Sequence, residues 1–192
     1  RYEGMSADFF QLFEQKLPAA FKTVRTESWT QSLAYVKQGR CDLLSLAMPT
    51  QQRREYLDFT SSYLSVPLVM ATRSDLAFVN ELDYLKNKQL AIPKGYAFAQ
   101  ILRERYPNLD ITEVSDIDEG LDKVRSEEVF GYIGTLATIG YKFQTKYTGE
   151  LKITGKVKDR WELGVAVGKN DPTLYKIMQK AVTSISDEQK RA

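Results

Sequence analysis

The chain has no histidine and only one cysteine. Without histidine, no Ser-His-Asp triad, Cys-His pair or imidazole metal site can form within it. Cys41 has no partner for an internal disulfide. Its place in the apolar run "CDLLSLA" predicts a buried, inert thiol. Long hydrophobic runs are also missing: no segment is apolar enough to span a bilayer, and the start does not read as a signal peptide. Neither sign of charge dominates. The 27 basic and 25 acidic residues give a net charge of +2, and no basic run is interleaved with aromatics, so no nucleic-acid partner is expected.

What remains is ordinary globular composition, 43% apolar and 27% charged over 192 residues. That length suits one large domain or two small ones. Along the chain, "GMSADFFQLFEQKLP" puts apolar residues on one face of a helix and "FKTVR" reads as a short strand. Ser28 or Thr30 is a candidate cap for a helix over "TQSLAYVKQ", with Gly39 at its left-handed end, and "CDLLSLA" is a strand. "SVPLVMATR" is a further strand, followed by a helix from near Asn80. "QLAIP", "DITEV" and "VFGYIG" then alternate with three helical segments, a βα series complete enough to be a lobe of its own. "LKIT" and "WELGVAVGK" read as two strands. Asp171-Pro172 opens a last helix with proline at its first position.

The stretch "MPTQQRREYLDF" follows a strand that reads as buried. Ligands of open α/β sheets bind beyond the carboxyl ends of strands. Thr50 can cap a helical turn there. Arg53 then falls beside that turn's free amides, a setting suited to a carboxylate. A solvated helix start is the alternative reading of Arg53 and Arg54.

The ordered series "G-x-S-A-D-x-F", "E-S-W-T-x-S-L-x-x-V-K-x-G-x-x-D-L-L", "P-T-x-x-R-R-E-Y-L-D-F-T-x-x-Y", "L-A-I-P-K-G-Y-A" and "E-L-G-V-A-V-x-K" resembles the family-3 bacterial extracellular solute-binding proteins over nearly the whole chain. Within them it is most similar to the Venus-flytrap sensor domains of membrane-bound hybrid histidine kinases. The resemblance implies an α/β, two-lobed periplasmic-binding-protein-like (type II) fold with two crossing hinge strands, near Leu64-Thr72 and Arg160-Val167. Lobe 1 would hold residues 1–70 and 165–192, and lobe 2 residues 71–164. The family's first strand of lobe 1 would be missing. The chain opens abruptly at Arg1, as expected of a domain from a longer protein that carries its targeting or membrane segments elsewhere.

The resemblance also implies the site. Arg53 would grip a ligand carboxylate in the cleft between the lobes, with Thr50 and the backbone near Met48 beside it, while Arg54 is surface. Trp29 would stack on the ligand or pack beneath its own helix. On lobe 2, Gly95 lets the backbone approach a ligand, and Tyr96 touches the ligand or covers the cleft mouth. Amino-acid binders place an aspartate after the strand equivalent to "VFGYI" to hold the ligand ammonium; Gly134 and Thr135 stand there instead. A carboxylate without an amine, or no ligand at all, then fits better than an ordinary amino acid, unless an acid such as Glu162 substitutes.

The implied function is ligand sensing outside the cytoplasm, in the periplasm, tethered to the inner membrane through covalently linked transmembrane and signalling domains, with room for a homodimer in the full-length receptor. A free receptor for a transporter is the alternative. A dehydratase of the same fold is remote: Glu27, Glu162 and Lys94 are its only acid–base candidates, and nothing pairs two acids. No catalytic residue, cofactor or metal is expected.

Overall fold

The computed structural model describes residues 3–79, 82–186 and 188–189, with the side chains of all but residues 83, 84 and 159. The chain divides into two compact units, Arg1–Ser65 with Glu162–Ala192, and Val66–Trp161. Two strands run from one unit into the other, β3 (Leu64–Arg73) and β7 (Leu151–Gly168).

In the first unit, the end of β7 is flanked by β1 (Leu43–Ala47) and β2 (Leu57–Phe59), both antiparallel to it. Alternation along β7 assigns its two faces. Val165 and Val167 join Phe9, Phe13 and Met178, from α1 (Met5–Lys16) and α6 (Pro172–Thr183). Ala166 joins Val36, Leu44 and Leu57, with α2 (Trp29–Lys37) on that side. Burying side chains of this size stabilises the unit by about 1.5–3 kcal/mol each. Both ends of α2 follow from sequence. Ser28 is extended and its hydroxyl accepts from the Gln31 amide at 3.2 Å. Gly39, at φ +70°, lets the Arg40 amide return to the Tyr35 carbonyl at 2.8 Å. Asp171 caps α6 through the Leu174 amide at 2.8 Å, ahead of Pro172.

The second unit is a sheet in the order β7-β3-β6-β4-β5, with β4 (Gln89–Pro93), β5 (Asp110–Val114) and β6 (Gly131–Thr135) parallel to one another. Both faces are apolar. Leu68, Met70, Leu90, Ile92 and Ile133 face Phe98 and Leu102 of α3 (Ala97–Arg105). Val69, Ala71, Ala91 and Tyr132 face Leu121 and Val124 of α4 (Ile117–Arg125) and Ile139 of α5 (Leu136–Thr145). A doubly covered sheet of this kind explains the unbroken apolar runs in the sequence. Because β4, β5 and β6 are parallel, the turns after them lie along one edge of the unit.

Several sequence expectations need correction. The stretch read as a strand over "FKTVR" has no regular secondary structure and pairs with no strand among the described residues. Only Phe21 packs inward, against Phe10, and its amide donates to the Glu14 carboxylate at 2.7 Å. β2 has no counterpart among the expected strands. The two strands expected after residue 150 are one 18-residue strand. Gly155 does not break it; it admits a backbone neighbour, since an added Cβ would lie 3.1 Å from the Val79 carbonyl. Cys41 lies just before β1, half-buried, not inside the strand. Of the helix expected from near Asn80, residues 80 and 81 lie outside the described residues; the segment after them is a 3-10 helix, Leu82–Leu85, with both leucines buried.

Candidate functional site

The candidate residues of the first unit sit just past the carboxyl end of β1. Met48, Pro49 and Thr50 leave the strand, and Arg53–Glu55 forms one 3-10 turn. Thr50 holds that turn: its hydroxyl accepts from the Arg53 amide at 3.2 Å and its carbonyl from the Arg54 amide at 2.9 Å. Arg53 is 5% exposed, so its charge is largely taken out of water. Its NH1 donates to the Met48 carbonyl at 2.8 Å, and its guanidinium lies over the Trp29 ring, 5.3 Å from the centroid. Burial pushes its pKa down, but a guanidinium stays protonated in this setting. Arg54, next in sequence, is exposed and lies over Phe59 at 5.4 Å. Adjacent arginines therefore do different things. One is a buried, oriented five-donor fork and the other coats an aromatic ring. Met48, Thr50, Arg53 and Trp29 are brought together. Trp29 is half-buried, and it both packs on the α2 core and carries the guanidinium.

The candidate residues of the second unit lie along the carboxyl edge of the parallel strands. After β4 come exposed Lys94, then Gly95 at φ +77°, then Tyr96 at the N-cap of α3. The positive φ is one that a side chain would strain. Tyr96 makes no side-chain cap bond; its ring lies 5.8 Å from Phe98 and 5.2 Å from Trp161, and burial raises its pKa. After β6, Thr135 caps α5, accepting from the Thr138 amide at 3.2 Å.

Gly134 is more than the loss of an acid. An added Cβ there would lie 2.6 Å from Cε1 of Tyr132, and one at Gly120 of α4 would lie 2.5 Å from the same ring. Two glycines thus form a slot that Tyr132 fills, 2% exposed, with burial as the main cause that raises its phenol pKa. A side chain at 134 would have to displace that ring. The other acids considered are engaged or apart. Glu162 accepts from the hydroxyls of Ser62, at 3.0 Å, and Ser65. Glu27 is exposed, with its backbone amide bonded to Gln31. Among the described residues no group of histidine, cysteine, aspartate or glutamate could hold a metal ion.

Sequence reasoning missed two residues, Tyr132 and Trp161. Trp161 packs on Tyr96 and on Phe98, at 5.1 Å from the latter, and its indole Nε1 is shielded from solvent with no hydrogen-bond acceptor among the described residues. An unmet buried donor costs about 1–3 kcal/mol. The chain has two tryptophans, Trp29 beside Arg53 and Trp161 beside Tyr96. A cavity of about 370 Å³ in the second unit lies elsewhere, at the amino end of β4, lined by Gln89, Lys88 and Arg73 among others. Arg73 pairs with Asp75 and Glu127 there, so the cavity presents no unbalanced charge from it.

Residues 1–192 match the profile of bacterial extracellular solute-binding proteins, family 3. The virulence sensor protein BvgS of Bordetella bronchiseptica is 22% identical over 190 residues, 98% of this chain and 15% of that protein. The sensor protein EvgS of Escherichia coli O157:H7 is 22% identical over 185 residues, 95% of this chain and 15% of that one. The L-cystine-binding protein TcyJ of Escherichia coli K12 is 21% identical over 188 residues, 96% of this chain and 70% of that one. The chain thus spans about 15% of the length of the sensor proteins it matches. Among solved structures, the periplasmic VFT2 domain of Bordetella pertussis BvgS superposes with a TM-score of 0.89 at 22% identity, over 97% of this chain and 80% of that one. An ancestral arginine-binding protein bound to arginine gives 0.84 at 17% identity, over 98% and 84%. The fold is the two-lobed α/β architecture of periplasmic binding proteins.

Proposed function

The chain belongs to the bacterial extracellular solute-binding proteins, family 3, and from that premise we propose that it is the extracytoplasmic ligand-sensing domain of a membrane-bound receptor, a sensor histidine kinase. The ligand is a small carboxylate held by Arg53, with Thr50, Met48 and Trp29 on lobe 1 and Gly95, Tyr96, Gly134 and Thr135 on lobe 2. The observation that carries this reading is the buried Arg53 guanidinium, braced by the Met48 carbonyl and the Trp29 face. An oriented fork of this kind matches a carboxylate in geometry and charge. Trp29 stacks on the guanidinium and does not need to touch the ligand itself.

Signalling requires that the ligand bind the open and closed states of the lobes with different affinity. Residues of both lobes must therefore meet it. The output passes to linked transmembrane and signalling domains, which fits the likeness to BvgS and EvgS. Among the described residues no helix is long and apolar enough to cross a membrane. The family is one of solute-binding and sensor domains, and its work is recognition, not catalysis.

Thermal-shift screening of small carboxylates against wild type and Arg53→Ala tests the reading. A carboxylate that stabilises wild type and not the variant supports it; equal stabilisation of both contradicts the role of Arg53. One observation favours a second reading, a free receptor that delivers solute to a transporter: the similarity to TcyJ over 70% of that protein. The full-length gene product separates the two. A transmembrane helix and kinase domain after residue 192 favour the sensor, and a stop soon after it favours the free receptor.

A further inference from the structure

We propose that Glu162, with Ser62 and Ser65, is a clasp on the hinge. It ties the two crossing strands together where they leave the first unit, and so limits how freely the lobes move. The inference rests on the reading of the chain as a sensor that works by lobe motion, and it requires no bound ligand.

The boundary between the units falls after Ser65 on β3 and before Glu162 on β7. Just there the Glu162 carboxylate uses both of its oxygens. Oε2 accepts from the Ser62 hydroxyl at 3.0 Å, and Oε1 accepts from the Ser65 hydroxyl. All three residues belong to the first unit. Ser62 stands just ahead of β3 and Ser65 within it, so one carboxylate grips the corner at which the chain enters its crossing strand. Hydrogen bonds to an ionised acceptor are stronger than those between neutral groups.

Inside the unit the same two segments are already joined through the backbone. The Tyr63 amide donates to the Leu163 carbonyl at 3.0 Å and the Thr60 amide to the Val165 carbonyl at 2.9 Å. The Val165 amide donates to the Thr60 hydroxyl at 3.0 Å. Gly164 permits the close approach, since an added Cβ would lie 2.9 Å from the Thr60 carbonyl oxygen. Ser61 is held in turn by Gln179 of α6: its amide donates to Oε1 at 2.9 Å, and its hydroxyl accepts from Nε2 at 2.9 Å. Glu162 is thus the last link of a fixed ladder, at the point where that ladder reaches the unit boundary. Ser62 and Glu162 are exposed, so water can replace the clasp without unfolding the buried pairs behind it. A hinge that switches needs links of this kind, oriented enough to favour one arrangement and open enough to release it. Glu162 then has a task other than holding a ligand amine.

Spin labels report on the hinge directly. In a Cys41→Ser background, cysteines replace exposed Lys176 of α6 and exposed Gln144 of α5, one in each unit. Pulsed electron resonance then measures the distance distribution between the labels in ligand-free protein, with the melting temperature as the control for folding. Glu162→Ala is expected to broaden that distribution. It is also expected to speed hydrogen exchange at the Tyr63 amide by roughly tenfold, while the Ile133 amide of β6 keeps its rate. The double variant Ser62→Ala/Ser65→Ala, which removes the clasp from its other side, must reproduce both changes. An unaltered distribution in Glu162→Ala overturns the inference even where the melting temperature falls, because a merely structural bond gives that result. A change in Glu162→Ala that the serine variant lacks overturns it as well, because Glu162 would then act through another partner. Neither failure touches the Arg53 reading, which the thermal-shift comparison of carboxylates tests by itself.

Discussion

The two clusters of candidate residues, one in each unit, differ in where they put charge. On lobe 1, an arginine is buried, oriented by a carbonyl and backed by an indole. On lobe 2, the corresponding edge has aromatic rings, a left-handed glycine and a capping threonine, with no acid at residues 134 and 135. On the proposed reading, an anion anchor is kept at Arg53 while no carboxylate for an amine stands at residues 134 and 135. The difference is steric as well as chemical. Losing a carboxylate at 134 alone would have left space, but here Tyr132 occupies it between Gly134 and Gly120.

The largest effect that can break this comparison comes from lobe 1. Arg53→Ala is expected to weaken binding of a cognate carboxylate by roughly 100-fold or more, read by calorimetry. Arg53→Lys should recover only part of that, because an ammonium cannot make the two-pronged contact. Full recovery would mean that only charge matters there. On lobe 2, Gly134→Asp is expected to lose about 1–3 kcal/mol of stability in urea unfolding, from the clash with Tyr132, and to bring no gain in aspartate affinity. A gain in that affinity would show the cation anchor to be restorable by one residue. Thr135→Ala removes the α5 cap and should cost about 1 kcal/mol in the same measurement. Gly140→Ala is the smallest change and the opposite control. It lies in α5 with nothing within 4 Å of an added Cβ. It should raise stability by about 0.5–1 kcal/mol.

Legibility in the sequence tracks the range of the interaction. The capped helices are readable because their signals are local, as with Ser28 and Gly39 around α2 or Asp171-Pro172 before α6. Strands depend on partners far along the chain, and the errors lie there. The stretch "FKTVR" has β-favouring residues and pairs with no strand among the described residues, whereas "LDF" pairs with β7 in spite of its short pattern. Gly155 reads as a break because the approach of Val79 that requires it is non-local. The site divides in the same way. Arg53 and Thr50 are three residues apart and joined by one local turn, and their meeting is predictable from spacing. Trp161 reaches Tyr96 across 65 residues, and Tyr132 is placed by glycines on two different elements. Neither arrangement leaves a trace at short range.

The most direct test is a crystal structure of the protein with succinate bound. The account predicts one carboxylate within about 3 Å of the Arg53 guanidinium nitrogens, and the far end of the molecule facing donors of lobe 2 with no protein carboxylate against it. Succinate bound with both carboxylates away from Arg53, or no binding at saturating concentration, would contradict it.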